Sequence, residues 1–307
     1  MKELIINEEF MDMRLDRFIS KVTVLSKGEI QKLLRKKCIK VNGKKQEGSY
    51  RTKKLDKVQF FLSDEVFKED NLHSKVSINN LNIIYEDKNI VLINKPAGVL
   101  SQGNGSDKED IVSMLISYLN TNSTGIVTRL DLNTSGIVLA GKNRRALMLL
   151  NEMSKNKLID KRYLTLVHGN FNREGIITHY GIKDNKENKL ILSSENAEGS
   201  FEVSANFNIK KKYKDYTLLE VKLITGKTHQ IRSQLDTLGF PVVGDKKYNK
   251  SKQSINENNF KLNRHFLHCY KVTLKYSEKY KELIEFDKTF KCDLPRELKN
   301  VIRKLDE

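Results

Sequence analysis

The stretch Ile126-Val127-Thr128-Arg129-Leu130-Asp131-Leu132-Asn133-Thr134-Ser135-Gly136-Ile137-Val138-Leu139 decides how the chain is read. Its apolar ends predict two strands, and the polar, turn-forming run between them predicts a tight interstrand loop carrying one carboxylate, Asp131. Loops held by a rigid sheet are where chemistry concentrates. Roughly a hundred residues further on comes a second polar word, Gly226-Lys227-Thr228-His229-Gln230-Ile231-Arg232. It predicts the opening of an amphipathic helix with Thr228 as N-cap and Ile231, Leu235 and Leu238 on one face. Arg232 then falls about one turn in, near the positive end of the helix dipole, where a cation is disfavoured. A carboxylate from elsewhere relieves that cost, and Asp131 is the candidate.

Outward from these words, 307 residues are enough for about two domains. The net charge of +17 points to a polyanionic partner, nucleic acid before an acidic membrane surface. The charge is concentrated: residues 21–60 hold 13 Lys/Arg against 3 Asp/Glu. Three cysteines, Cys38, Cys269 and Cys292, form no disulfide framework and suit a reducing, cytoplasmic setting. No apolar run approaches the length of a membrane span, so no membrane partner is expected.

Residues 13–62 read as a compact unit. Leu15, Phe18 and Ile19 predict a short helix, and Ser26-Lys27-Gly28-Glu29 is a capping box for a second. That second helix buries Ile30, Leu33 and Leu34 and turns Lys32, Arg35, Lys36 and Lys37 outward. Ile39 and Val41 lead into Asn42-Gly43, a tight-turn dipeptide, and Val58 to Leu62 form a later strand. Residues 63–80 read as a polar linker, which puts the expected domains at 1–75 and 76–307. In the second, strands are expected at 83–85, 90–94, 163–167, 201–209, 216–224 and 266–275. Helices are expected from Asp110, Asn143 and Pro295. Several connections are short, so an α+β domain on a mostly antiparallel sheet fits better than βαβ winding. Residues 183–199 and 249–263 read as polar loops.

In order and context, Arg129-Leu130-Asp131 with Thr134-Ser135-Gly136, then Lys161-Arg162-Tyr163-Leu164-Thr165-Leu166-Val167, then Gly226–Arg232, then Asn263-Arg264-His265-Phe266-Leu267-His268-Cys269, resemble the RluA family of RNA pseudouridine synthases. The loop Asn104-Gly105-Ser106-Asp107 and the last of these words resemble its RluC-type members, which modify large-subunit ribosomal RNA. The front end, MRLDRFISK and SKGEIQKLLRKKCIKVNGKK, resembles an S4 RNA-binding domain. The resemblance implies a pseudouridine synthase fold with a mostly antiparallel central sheet, preceded by a small S4-like domain. Two departures stand out: Thr128 occupies a place where the family usually has His, and Lys227 one where Arg is common.

The implied reaction isomerises uridine by exchanging the N1–C1′ bond for C5–C1′. Nothing is oxidised, so neither cofactor nor metal is called for. Asp131 becomes the catalytic carboxylate; attack on the sugar, attack on the base and removal of a sugar proton are all open to it. Arg232 keeps it charged and aimed. Tyr163 offers a platform for the flipped-out uracil, and Leu267 closes the pocket. Arg129 holds the loop or a phosphate. Lys32, Arg35, Lys36 and Lys37, together with Arg144 and Arg145, are expected on phosphates, and Lys95 is a further phosphate candidate. His265, His268 and Cys269 match no structural zinc spacing. RNA, ribosomal RNA first, is the expected partner. The rival reading is a non-catalytic S4-type RNA-binding or ribosome-assembly factor that keeps the fold. Neither a P-loop nor a dinucleotide-binding glycine fingerprint is present, which sets a general nucleotide-binding enzyme aside.

Overall fold

A computed structural model of the chain describes residues 1–7, 10–67, 81–103, 109–184, 189–248, 260 and 262–307. The centre of the loop at 102–107 and most of the segments 63–80 and 249–263 lie outside the described residues. The chain divides into two compact units, Met1–Val76 and Ser77–Glu307.

The first unit runs β1 (Lys2–Ile5), α1 (Leu15–Val22), α2 (Lys27–Arg35), β2 (Ile39–Val41) and β3 (Lys57–Phe60). Helix α2 starts where the capping box predicts. Ser26 Oγ accepts from Glu29 N at 3.4 Å, and Glu29 Oε2 accepts from Ser26 N at 2.8 Å. The helix stops two residues before the end of its basic run. Lys36 is the C-cap and Lys37 takes φ +60°, so these two cations stand in the turn that ends the helix. Asn42 and Gly43, at φ +49° and +74°, make the tight turn after β2. The partner strand is β3, far along the chain, and it is flanked by β1 on its other side in a three-stranded antiparallel sheet. Ile30 and Leu34 are buried with Phe18, Ile39, Val58 and Phe60, while Leu33 is half-buried. Phe67 joins this core, edge-on to Phe60 at 5.1 Å, so the unit reaches past the start of the expected linker.

The second unit is an α+β layer structure. Its elements are β4 (Ile83–Glu86), β5 (Ile90–Lys95), α3 (Ile111–Leu119), β6 (Gly125–Ile126), β7 (Ser135–Gly141), α4 (Arg144–Lys155), β8 (Ile159–His168), β9 (Gly175–Asp184), β10 (Lys189–Ser193), β11 (Phe201–Lys212), β12 (Tyr216–Leu223), α5 (Gln230–Thr237), β13 (Leu267–Leu274), β14 (Lys288–Lys291) and a C-terminal helix (Arg296–Asp306). Asp110 and Asn143 cap α3 and α4 through their side chains. Among the described residues the strands form one sheet in the order β10-β9-β11-β12-β8-β13-β7-β5-β4, with β14 on β13 and β6 on β7. Every pairing is antiparallel except β13 with β7. Strand β7 is buried along its whole length, as its Gly-Ile-Val-Leu-Ala run demands of a strand covered on both faces.

The segment expected as a loop at 183–199 holds the end of β9 and all of β10 instead, with residues 185–188 outside the described residues. Strands β9 and β10 pair from Lys189↔Asp184 to Ser193↔Tyr180. At this sheet edge Ile182 and Ile191 are exposed and Leu190 points inward, so Lys and Asn dilute an alternation that is physically present. No helix among the described residues is long and apolar enough to cross a membrane.

Candidate active site

Asp131 stands in the loop between β6 and β7, and the backbone on either side of it is tied down. Leu130 N donates to Ser101 Oγ at 3.0 Å and Leu130 O accepts from the same hydroxyl at 2.8 Å. Leu132 O accepts from Lys95 Nζ at 3.1 Å and from Gly98 N at 2.9 Å. Asn133 O accepts from Arg264 Nη1 at 3.0 Å. Thr128 Oγ1 accepts from Leu139 N at 3.0 Å, so the residue in the usual His place fastens the base of the loop. Gly136 then lets β7 pass β13. Its φ is +118°, and a Cβ there would fall 2.2 Å from Cys269 O.

Lys95 is therefore not available to phosphate. It is fully buried, and its ammonium is spent on the carbonyls of Pro96, Val99 and Leu132. Burial pulls its pKa down to about 8. Arg145 is likewise engaged, by Glu282 at 2.8 Å.

Helix α5 carries Arg232 but not as predicted. The N-cap is His229, at φ +56° and without a side-chain cap, rather than Thr228. Gln230 organises the turn: its Oε1 accepts from Lys227 N at 3.0 Å and from Thr225 Oγ1 at 2.9 Å. Nor is the helix amphipathic. Gln230, Arg232, Ser233 and Gln234 are as buried as Ile231 and Leu235, whereas Leu238 is half-buried.

The guanidinium of Arg232 meets two carboxylates. Asp245 takes it bidentately, Oδ2 to Nε at 2.6 Å and Oδ1 to Nη2 at 2.9 Å, with both side chains buried. The remaining nitrogen, Nη1, faces Asp131 Oδ2 at 3.4 Å. Burial would lower the Arg232 pKa, but the hydrogen bonds and charge of Asp245, with Asp131 behind it, hold it above the ordinary value. Asp245 is aimed by a turn in which Gly244, φ +76°, passes so close to Arg264 O that no Cβ would fit. Tyr248 lies over the guanidinium at 5.1 Å from its ring centroid. Neither Asp245 nor Tyr248 stands out in the sequence; a Gly-Asp pair in a polar stretch reads as an ordinary turn.

A cleft of about 1010 Å³ opens at Asp131, with Arg232 behind its wall, and Arg129, Lys161, Tyr163, His229 and Leu267 are among its lining residues. Asp131 remains 26% exposed there, while Tyr163 and Leu267 are each 4% exposed. Burial, then the neighbouring Cys269 and Asp131, push the Tyr163 phenol well above its usual pKa, so it keeps its proton at neutral pH. His229 Nε2 lies 3.9 Å from Asp131 Oδ2, and its Nδ1 is 3.2 Å from Tyr248 Oη. Burial lowers the His229 pKa, which favours the neutral ring. His265 and His268 are hydrogen-bonded to Thr134 Oγ1 at 2.8 Å and Ser135 Oγ at 2.9 Å, bracing the same loop. Lys32, Arg35, Lys36 and Lys37 are exposed on the first unit.

A carboxylate on a braced loop faces a buried arginine beside an aromatic ring in an open cleft on a mostly antiparallel sheet, an arrangement suited to an enzyme that acts on a base-bearing polyanion. Comparison with known proteins agrees. The family described as RNA pseudouridylate synthase matches residues 89–237, and the S4 domain family matches residues 13–58. An uncharacterized RNA pseudouridine synthase of Mycoplasma genitalium is 32% identical, covering 88% of each chain. A ribosomal large subunit pseudouridine synthase C of Buchnera aphidicola is also 32% identical, covering 91% of each. Among solved structures, human RNA pseudouridylate synthase domain containing 4 shares the fold, with a TM-score of 0.61 at 20% identity over 73% of this chain and 93% of that one. The chain belongs to the RNA pseudouridine synthase family and carries an S4 domain at its front. It is an isomerase acting on RNA, not a non-catalytic factor that merely keeps the fold.

Proposed function

We propose that this synthase converts uridines of large-subunit ribosomal RNA to pseudouridine in the cytoplasm, with Asp131 as the catalytic carboxylate. The observation that carries the site assignment is the approach of Arg232 Nη1 to Asp131 Oδ2 at 3.4 Å, beside Tyr163 in one cleft. The name borne by the Buchnera relative, matched along nearly its whole length, supports the ribosomal substrate.

A stacked uridine cannot reach Asp131, so the base is flipped out at a cost of a few kcal/mol. Tyr163 offsets part of this by stacking, at roughly 1–3 kcal/mol per base. Leu267, on the neighbouring strand β13, completes the wall beside Tyr163 and helps exclude water. Asp131 acts at the ribose while Arg232 fixes its position. Arg129, exposed at the rim, contacts the RNA strand beside the flipped nucleotide. The first unit is an RNA-binding module whose Lys32, Arg35, Lys36 and Lys37 meet phosphates.

The test is a pseudouridine map of ribosomal RNA from cells lacking the protein, complemented with wild type or Asp131→Ala. Wild type restores specific marks; the variant restores none while binding RNA within a few-fold of wild type. Marks restored by the variant would remove Asp131 from catalysis, and marks confined to another RNA class would overturn the ribosomal assignment.

A further inference from the structure

Strand β8 sends Lys161 and Tyr163 to one face of the sheet, two residues and about 6.6 Å apart along the strand. Both line the cleft that holds Asp131. Three other cations near this end of the cleft are neutralised: Arg162 by Glu220 at 2.6 Å on the opposite face, and Lys222 and Lys275 by Asp160 at 2.9 and 3.5 Å. Lys161 differs. Among the described residues its ammonium has neither an ion-pair nor a hydrogen-bond partner. It lies under the loop that opens the second sequence word, 3.7 Å from the place a Cβ on Gly226 would occupy. Lys161 is half-buried, and that burial lowers its pKa, as expected for a cation without an acid beside it. Such a group is costly unless a ligand completes it.

The order of groups along the cleft says which part of the ligand that is. Tyr163 feels the charge of Asp131 and pairs with Cys269 across β8 and β13, whereas Lys161 lies one step further along the same face of β8, opposite Val272 and beneath Gly226. If Asp131 meets the ribose and Tyr163 carries the base, Lys161 faces the outer edge of that base. We propose that Lys161 is a catalytic residue that binds a carbonyl oxygen of the detached uracil and stabilises its negative charge. The proposal rests on the site reading given above for Asp131 and Tyr163. When the N1–C1′ bond breaks, its electron pair stays with uracil and spreads from N1 onto O2 and O4. The ammonium pairs with one of these oxygens and keeps its proton. After the base turns, C5 supplies the electron pair for the new C5–C1′ bond. C5 then loses a proton and N1 gains one, so charge and composition are unchanged overall. A positioned cation at developing charge inside a dry site is among the larger contributions a side chain can make.

The experiment compares full-length wild type, Lys161→Met and Lys161→Arg in single-turnover reactions on RNA carrying uridine or 5-fluorouridine at the mapped site. Fluorine withdraws electrons, so the departing base needs less help in bearing its charge. Lys161→Met is expected to slow reaction of uridine about 10²–10³-fold. It should slow consumption of 5-fluorouridine at least about ten-fold less, and Lys161→Arg should recover part of the loss. RNA affinity and its salt dependence should not move. Equal slowing on both substrates would overturn the proposal. So would an unchanged rate with weaker binding and a salt slope reduced by about one, which marks a phosphate contact. Lys161→Gln gives the same comparison should the methionine variant melt early. Parallel assays of wild type and Asp131→Ala separate the two readings: activity in the first and loss in the second keep the site assignment whatever Lys161 does.

Discussion

Lys32, Arg35, Lys36 and Lys37 of the first unit stand in water at the end of a short helix, whereas Arg232 and Arg264 of the second are only 6% and 8% exposed. Among the described residues, none of the four surface cations forms an ion pair. Arg232 instead has two carboxylates, and Arg264 holds Glu297, Ser135 and the carbonyls of Asn133 and Leu267. Exposed cations can release counterions on meeting a phosphate, which yields affinity without shape. Buried, fully bonded cations have no such freedom but fix geometry to fractions of an ångström, which is what bond-making requires. Substitutions in the two regions should therefore fail in different ways.

Removing Asp245 should have the largest effect. Asp245→Ala strands a buried guanidinium, and breaking such a pair costs about 3–5 kcal/mol, somewhat less here because Asp131 remains nearby. Thermal unfolding would register that loss. Asp245→Asn keeps the shape and a hydrogen-bond acceptor, so it should recover part of the stability while kcat stays roughly 10²-fold down at unchanged KM. A variant that loses stability but keeps kcat would show that the clamp holds the fold and not Asp131.

The surface cations predict the reverse pattern. Replacing Lys32, Arg35, Lys36 and Lys37 with glutamine should weaken RNA binding by about 10²-fold at moderate salt and flatten the salt dependence by about one unit per lost contact. The single-turnover rate at saturating RNA and the melting temperature should hold. Filter binding across a salt series measures the first, and single-turnover assays at saturating RNA with thermal melts measure the second. A loss of rate at saturation would dissolve the division between the regions.

The two regions were also unequally legible. The capping box at Ser26, the turn at Asn42-Gly43 and the caps at Asp110 and Asn143 are local signals, and local signals survive in sequence because neighbours alone determine them. The approach of Asp131 to Arg232 was legible for another reason: an arginine near the start of a helix asks for a carboxylate. Asp245 was not, because its turn looks ordinary and its meaning lies in a contact 13 residues away through a buried helix. The N-cap shifted to His229 because Gln230, buried and bonded on both sides, decides where the helix can begin. Lys95 looked like a phosphate ligand because its three carbonyl partners come from loops that no periodicity announces.

Acid offers the mildest way to separate the regions. The described part of the first unit contains no histidine, whereas the second buries His265 and His268 beside the Asp131 loop. Burial, reinforced by the charge of Arg232, takes His265 down to about 3, and burial takes His268 down to about 4. Both values lie below the ordinary 6.5, so the folded protein binds fewer protons than the unfolded chain at intermediate pH. The stability contributed by keeping these rings neutral is thus complete above pH 6.5 and falls as pH drops below it, continuing toward pH 3–4. The loss from the two rings together should reach about 2–3 kcal/mol by about pH 5.5. The first unit's perturbed carboxylates, Asp16, Glu29 and Asp56, have pKa values lowered from their ordinary ones and so titrate only at lower pH. Hydrogen exchange on the whole chain between pH 7 and 5.5 should therefore show the strands around Asp131 losing protection while α1, α2 and β3 keep theirs. Equal loosening of both units would mean that the buried histidines are not what the second unit's polar network depends on. His268→Gln, which can still accept from Ser135 but cannot take up a proton, should remove part of the acid sensitivity if they are.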